Sequence, residues 1–283
     1  MKISSSTPAT NKVLISHQKA KSKDVRALLK TVSDAKIVEV VKTLLKSSQT
    51  NDSNDWRFAG IAFNELATRV WGKKHRKSLE SFRQAIIRNS DNCVARRSYA
   101  LETAGIVDKK SKKIFHPYPF NDVAQKVIEK WYRSSTDKSL QQYISAYMKK
   151  HIRSLKHHSV KYLTPNSQKK YRVTFKNGQP RIGKARPKSG TYIYALGTDD
   201  NQSLLLAGTK RKGTFQHSSF FAGAPVASVG EFTIKGKKIT HVRLSSGHYH
   251  PTKKHGKALM KYFRQDDNLG AGKTAHIKVE THK

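Results

Sequence analysis

The sequence has a single cysteine, few acidic residues and no long hydrophobic run. Cys93 has no second cysteine with which to form an internal disulfide, so nothing requires an oxidising compartment. The longest apolar runs, of which Leu204 to Ala207 is typical, are too short to span a bilayer. The first residues, MKISSSTPATNK, lack the apolar core of a signal peptide. We therefore expect a soluble, cytoplasmic protein with no signal peptide and no transmembrane segment.

The shortage of acid leaves a very basic chain. The 283 residues include 56 Lys and Arg but only 19 Asp and Glu, which gives a formal net charge of +37. The positive electrostatic field of such a chain favours an anionic partner: nucleic acid, an acidic protein surface such as that of calmodulin, or a phosphate-bearing ligand. The excess is spread over both halves of the chain, so the charge alone does not locate a binding groove. A generally basic protein without such a partner fits the composition equally well.

The first half of the chain has the apolar spacing of helices. Residues 1–20 show little periodicity and predict a flexible arm, and residues 21–50 predict a helical segment. A helical domain is predicted over residues 55–158, with apolar residues recurring at intervals of three and four. Its predicted helices are Trp56–Trp71, Ser78–Asn89, Asn92–Ala104, one that begins at Asn121 and one that begins at Asp137.

The pattern changes to that of strands at about residue 160. Asn177-Gly178 is a strong hairpin signal after a first alternating segment. The predicted strands are Tyr171–Phe175, Tyr192–Leu196, Leu204–Ala207, Glu231–Ile234, Ile239–Leu244 and Ala275–Val279, with a helix at about Gly256–Arg264 before the last of them. The predicted fold class is α+β: an all-helical N-terminal half, then a strand-rich domain with an antiparallel sheet over residues 160–283.

Two polar motifs in the second half carry a family resemblance. Lys212–Ala222 has the sequence KGTFQHSSFFA, and Ser246–Thr252 contains Ser-Gly-His-Tyr, followed by Pro251 and Thr252. In this order and separation, with a strand hairpin between them, residues 161–283 resemble the C-terminal part of plant IQ-motif calmodulin-binding (IQM) proteins. The family's IQ pattern is not present in the helical half, so the resemblance does not carry calmodulin binding with it.

The resemblance implies a fold more than a chemistry. It favours a regulatory or interaction protein. An IQM-like module joined to an unrelated helical half would also fit a bacterial effector that acts in a eukaryotic host cell.

The motifs also supply the best candidate site. His217, Ser219, His248 and Tyr249 are the candidate catalytic residues, and a ligand-binding pocket is predicted from His217, Ser218, Ser219, Ser246, His248 and Tyr249. Such side chains transfer protons and bind phosphate or sugar hydroxyls, which makes a nucleotide- or phosphate-binding domain or enzyme the second hypothesis. Alternatively, the same groups satisfy buried backbone atoms at tight turns.

Other chemistry is less well supported. A Ser-His-acid arrangement needs an orienting carboxylate, and Glu231 is the only acid between Asp200 and Asp266. The usual zinc ligand sets are missing around His248 and His250, so no metal site is predicted, and the sequence identifies no cofactor.

A third hypothesis concerns nucleic acid. The three helices before Gly105, the basic turn Asp108–Lys113 and Ile114-Phe115 follow the order of a winged helix. The predicted nucleic-acid contacts are Arg96 and Arg97 near the reading helix and Lys109, Lys110, Lys112 and Lys113 on the wing. An ordinary helical bundle with a solvated basic surface is the alternative.

One further segment could bind a partner. Leu140–Tyr162 is basic and amphipathic, with apolar residues at Ile144, Met148, Ile152 and Leu155. Such a helix could bind calmodulin without an IQ consensus or lie on an anionic membrane. Packing of the apolar stripe on the protein's own core is the alternative.

Overall fold

The described part of the chain contains nine strands and five α-helices. The computed structural model describes Cys93 and residues 101–102, 105–108, 110–111, 113–119, 121–133, 140–198, 204–265 and 267–281. The strands are β1 Ile106–Val107, β2 Ile114–Phe115, β3 Val173–Lys176, β4 Gln179–Ile182, β5 Gly190–Leu196, β6 Leu205–Gly208, β7 Ser228–Lys235, β8 Lys238–Leu244 and β9 Lys278–Thr281. The helices are α1 Asp122–Arg133, α2 Leu140–His157, α3 Pro165–Gln168, α4 His217–Phe221 and α5 Lys253–Arg264, with a 3₁₀ turn at Ala271–Lys273.

A five-stranded sheet in the order β6-β5-β7-β8-β9 is the centre of the fold. The first four strands are antiparallel, and β5 pairs with β7 from Gly190↔Ile234 to Leu196↔Ser228. The last pair is parallel, with His241 opposite Lys278. The sheet is therefore mixed: the predicted antiparallel pairing is present from β6 to β8, and the pair of β8 with β9 differs from it. The reason is that α5 crosses between β8 and β9, and such a crossover returns the chain to run in the same direction.

One face of the sheet packs against α5 and the β3–β4 hairpin. The core on this side contains Tyr194 and Phe232 from the sheet and Leu259 and Phe263 from α5. Leu259 and Phe263 lie four residues apart and therefore on one side of the helix. All four side chains are buried, so this core fixes α5 to the sheet.

The Asn177-Gly178 pair forms the predicted turn between β3 and β4. Both residues have positive φ, 53° and 71°, the backbone of the two-residue turn that suits a twisted hairpin. A backbone hydrogen bond joins the start of this hairpin to the edge strand β6, because the amide of Ala207 donates to the carbonyl of Tyr171 at 2.9 Å. The hairpin itself is a separate two-stranded sheet beside the five-stranded one.

The other face carries a second core. It contains Ile193 and Ala195 of β5, Phe220 of α4, and Tyr249 from the second motif. Cys93 also belongs to it, and pairs with Val226 through two backbone hydrogen bonds of 2.6 and 3.1 Å. Both motifs therefore lie on the same face of the sheet, together with a residue from the first half of the chain.

The first half is described only in part. The two helices predicted to begin at Asn121 and Asp137 are present as α1 and α2, and the side-chain oxygen of Asn121 accepts from the amides of Val123 and Ala124 at the start of α1. The helices predicted over Trp56–Trp71 and Ser78–Asn89, and nearly all of that over Asn92–Ala104, lie outside the described residues, as do residues 1–50. No helix in the described ranges is long and apolar enough to cross a membrane.

The predicted boundary near residue 160 stays a prediction. Strand-like pairing joins the segments on either side of α1 and α2: the amide of Val160 donates to the carbonyl of His116 at 2.7 Å, and that of Tyr118 to His158 at 2.6 Å. Residues 116–118 are thereby held against the start of the strand-rich part.

Candidate functional site

The first motif forms the buried helix α4. The amide of Gln216 donates to the Ser219 hydroxyl at 3.0 Å, and the amide of Ser219 donates back to the Gln216 carbonyl at 2.9 Å. The helix ends at Ala222, whose φ of 52° is left-handed. The Ser219 hydroxyl therefore has a structural contact, closing the first turn of α4.

His217 faces the backbone of β7. Its Nε2 donates to the carbonyl oxygen of Gly230 at 2.9 Å. Burial lowers the pKa of His217 to about 4, because the charged imidazolium would lose its hydration. The ring is therefore neutral at physiological pH and acts as a hydrogen-bond donor to the sheet.

The centre of the site is an acid from the first half of the chain. Glu102 is completely buried. Its carboxyl accepts a hydrogen bond from the hydroxyl of Ser218, one of 2.5 Å from the side-chain amide of Gln216, and one of 3.3 Å from the hydroxyl of Tyr162. Two side chains of the first motif thus converge on one carboxyl group that lies more than 100 positions earlier in the sequence.

Burial decides the protonation of Glu102. Desolvation raises its pKa to about 8, against the opposing effect of the hydrogen bonds from Ser218, Tyr162 and Gln216. At neutral pH the group is therefore mostly a neutral carboxylic acid.

The second motif reaches the same acid. The Nδ1 atom of His248 lies 3.7 Å from Oε1 of Glu102. Because the carboxyl is mostly protonated at neutral pH, we interpret this approach as a polar contact and not as a full ion pair. The neighbouring Tyr249 donates its hydroxyl to the carbonyl of Ala224 at 2.9 Å, and the amide of Tyr249 donates to the Ser246 hydroxyl at 3.4 Å. Glu102 therefore connects the two motifs, through Ser218 on one side and His248 on the other.

An aromatic pair packs beside this acid. The rings of His116 and Tyr162 stack with their centroids 3.7 Å apart. Nδ1 of His116 donates to the backbone carbonyl of Glu102 at 2.8 Å, and burial lowers the pKa of that imidazole. His116 thus binds the backbone of Glu102 and Tyr162 binds its side chain, from opposite ends of the α1–α2 segment.

This arrangement is closed. The six predicted ligand-binding residues expose at most 7% of their surface, the highest value being that of Ser246. The Ser218 hydroxyl donates to an acid and not to a histidine, so the order of a nucleophile, base and orienting acid is not formed. In the described part of the chain, no group of three His, Cys, Asp or Glu side chains is placed to bind a metal. The catalytic assignment of His217, Ser219, His248 and Tyr249 stays a prediction.

Sequence reasoning missed two members of the site. Gln216 stands in the first motif, but its amide was given no role. Glu102 lies far from both motifs, so the search for an acid between Asp200 and Asp266 could not find it. The sequence contains one local indication of its role. Glu102 is an acidic residue in the mainly apolar segment Tyr99–Ile106, in a chain that has few acidic residues.

Comparison with known proteins identifies the region that contains both motifs. The family model for the IQ motif-containing protein middle domain matches residues 167–256. Residues 167–256 form an IQM-like domain.

The curated relatives are plant proteins. IQ domain-containing protein IQM2 of Arabidopsis thaliana is 30% identical over 122 residues, which are 40% of this chain and 20% of the relative. IQM1 and IQM5 of the same plant are 29% and 30% identical over 126 and 136 residues, covering 42% and 45% of this chain and 25% and 26% of theirs. The chain thus spans about a fifth to a quarter of the length of these relatives. No solved structure matches it.

The IQM-like domain does not contain the whole site. Gln216, Ser218 and His248 lie within it, but Glu102, His116 and Tyr162 precede it. The structure therefore joins the domain to preceding chain through buried polar contacts.

The residues predicted to contact nucleic acid are described only in part. β1 and β2 form an antiparallel pair at the position predicted for a wing. In the turn between them, Lys110 and Lys113 are exposed, whereas Arg96, Arg97, Lys109 and Lys112 lie outside the described residues. Asp108, in the same turn, binds Lys156 of α2 at 2.8 Å, and this hydrogen bond holds the pKa of the Asp108 carboxyl well below its usual range.

Helix α2 covers most of the segment predicted to be amphipathic. Ile144 and Leu155 are buried, and Ile152 is half-buried. Part of the apolar stripe therefore packs on the protein's own core. Arg153 is exposed on the same helix.

Proposed function

We propose that this protein is a regulatory interaction protein that binds calmodulin, with its IQM-like domain as the scaffold. The regulatory role is carried by the match of the IQ motif-containing middle domain to residues 167–256. Calmodulin as the partner is carried by the basic helix α2 and not by an IQ pattern, which the first half of the chain lacks. The burial of both motifs supports it. Buried side chains that line no open cleft stabilise the fold, so a partner protein would be bound by the surface. That surface belongs to a chain of net charge +37, which favours an acidic partner.

Helix α2 is the segment that we propose for calmodulin. It is 18 residues long and basic, and calmodulin binds such helices by taking up their apolar face. Ile144 and Leu155 are already buried in the folded protein, so calmodulin has to displace α2 from that core. We therefore expect a free peptide of residues 140–162 to bind more tightly than the whole chain.

Titration calorimetry with calcium-loaded calmodulin tests this. The whole chain should bind in calcium and not in a chelator. Arg153→Glu, on the exposed side of α2, should weaken binding several-fold, whereas Lys126→Glu on α1, which makes the same change of charge at another exposed position, should not. Absence of binding by both the chain and the peptide at micromolar concentrations would refute the calmodulin proposal. Equal effects of the two variants would place the site elsewhere.

We also propose that the protein acts as a bacterial effector inside a eukaryotic host cell. The support is the resemblance to plant proteins over less than half of the chain. A reporter fusion produced in the source bacterium should appear in the cytosol of infected host cells. Retention of that fusion in bacteria with an intact secretion system would count against the idea.

A second candidate function is nucleic-acid binding through the β1–β2 hairpin. The favouring observation is that the two strands pair as a wing would, with Lys110 and Lys113 exposed in the turn. Replacing both lysines with glutamine should reduce the slope of log affinity against log salt by about 2. The matched control is Lys169→Gln with Lys170→Gln, two exposed lysines outside the hairpin. An identical slope in both variants would exclude the hairpin as the contact.

A further inference from the structure

A cavity on the face of the sheet that packs against α5 has no role in the proposed functions. It has a volume of about 470 Å³ and lies where three turns meet: the β3–β4 turn, the β7–β8 turn and the 3₁₀ turn at Ala271–Lys273. Its apolar lining includes Ile239 and Leu269, which belong to the core that packs on α5. The cavity is therefore separate from the two motifs, whose aromatic residues pack in the opposite core.

The lining of this cavity is positively charged. Lys237 comes from the β7–β8 turn, Lys238 from the first position of β8, Lys273 from the 3₁₀ turn, and His276 from the segment before β9. No acidic side chain is among the lining residues. Within the described ranges, no carboxylate forms an ion pair with any of the three lysines. Three ammonium groups around one cavity repel each other, and a bound anion would relieve that repulsion.

The turns orient these groups. A Cβ added to Gly178 would lie 3.4 Å from Cδ and 3.7 Å from Nζ of Lys273, so the stem and head group of this lysine lie close to the β3–β4 turn. Nε2 of His276 donates to the carbonyl of Ile239 at 3.0 Å, which fixes the orientation of the ring. At Gly272 an added Cβ would meet no atom within 4 Å, so the cavity has open space beside the 3₁₀ turn.

We propose that this cavity binds a small ligand that carries two or more phosphate groups. The volume lies in the range of small-molecule sites, about 300–1,000 Å³. Lysine ammonium groups bind phosphate as point charges and do not impose a planar geometry. Three lysine side chains around one cavity suit a ligand with several separated anionic groups better than a ligand with a single phosphate. A phosphorylated inositol has this chemistry, either as a soluble metabolite or as the headgroup of a membrane lipid.

Titration calorimetry on the whole chain with inositol 1,4,5-trisphosphate tests the soluble source. Sedimentation with phosphatidylcholine vesicles, with and without phosphatidylinositol 4,5-bisphosphate, tests the lipid source. Binding in either arm identifies the source, and it supports the site when the cavity variants weaken it more than their control. Absence of binding in both arms would overturn the proposal.

Two variants distinguish the cavity from the general charge of the protein. Replacing Lys237, Lys238 and Lys273 together with glutamine should weaken binding by about tenfold to a hundredfold. The control replaces Lys169, Lys170 and Lys184, exposed lysines at the opposite end of the β3–β4 hairpin, with the same loss of three charges. Equal weakening by both triple variants would mean that binding is non-specific and would refute the site.

A second variant leaves the charge unchanged. Gly272→Phe places a large side chain beside the cavity at a position with open space and without positive φ. It should also weaken binding about tenfold, while the thermal midpoint of the folded chain stays close to that of the unchanged protein. Full binding by this variant, with the fold intact, would contradict the cavity as the binding place.

Discussion

Replacement of Glu102 with glutamine should change how stability depends on pH. The pKa of this carboxyl is about 8 in the folded protein and 4.5 when the side chain is exposed to water, as in the unfolded chain. The folded protein therefore keeps a proton that the unfolded chain releases, and stability falls as pH rises from about 4.5 through 8. Glutamine has nearly the same shape, its one side-chain oxygen can still accept the hydrogen bond from Ser218, and it does not titrate.

The size of the effect follows from the shift. Each pH unit between the two pKa values changes the free energy of unfolding by about 1.4 kcal/mol. Between about pH 5.5 and about pH 7.5, the stability of the unchanged protein should therefore fall by about 2–3 kcal/mol relative to Glu102→Gln. Titration of His217 also affects stability in the acidic part of this range. It is present in both proteins, so it cancels in the difference.

Urea unfolding followed by circular dichroism at several pH values measures this difference. Glu280→Gln is the control, because that carboxyl is exposed and makes no contact with Glu102. If the curves for Glu102→Gln and the unchanged protein stay parallel within about 0.5 kcal/mol, Glu102 does not carry a proton in the folded state. The buried carboxyl would then be ionised in the folded protein, which would refute the neutral acid assigned to this site.

Three further substitutions test the packing around the motifs. The unchanged protein should lose about 3 kcal/mol of its free energy of unfolding as pH falls from about 6.5 to 4, because the unfolded chain protonates His217 and the folded protein does not. His217→Gln keeps a hydrogen-bond donor toward the sheet but does not titrate, so acid unfolding curves of this variant should lack that loss. Gly230→Ala should lower the free energy of unfolding in urea by more than about 3 kcal/mol, because its Cβ would overlap the carbonyl oxygen of Arg243. The control Gly272→Ala, whose Cβ meets no atom, should change it by less than about 0.5 kcal/mol. Tyr249→Phe leaves a buried carbonyl without its donor and should lower the thermal midpoint by the equivalent of about 1–2 kcal/mol. Unchanged stability in Gly230→Ala or Tyr249→Phe, or an unchanged acid unfolding curve in His217→Gln, would refute the corresponding contact.

Local patterns in the sequence predicted much of the strand-rich part. Alternation placed β5, β7 and β8 close to their observed bounds, and Asn177-Gly178 predicted the hairpin turn. These features depend on neighbouring residues: the period of a strand and the tolerance of Asn and Gly for positive φ. The motif spelling in Lys212–Ala222 and Ser246–Thr252 indicated the IQM-like domain, which the family model confirmed.

Long-range pairing was the part that local patterns did not predict. The parallel direction of β9 depends on where α5 returns the chain, and no residue in β9 encodes it. The short helix α4 was also missed, because its five residues have no helical periodicity, and it is held by the Gln216–Ser219 contacts and by burial.

The sequence by itself determined the strand-rich, IQM-like character of the second half and the strong positive charge, because both are properties of residue types and their spacing. Only the tertiary structure decided what the motif residues contact. Ser218 and His248 lie near each other because Glu102 is buried between them, and the high pKa of that acid results from burial. The convergence of three lysines on one cavity was likewise decided by how three separate turns pack. Burial and long-range contacts arise when distant segments fold together, so no local pattern could have predicted them.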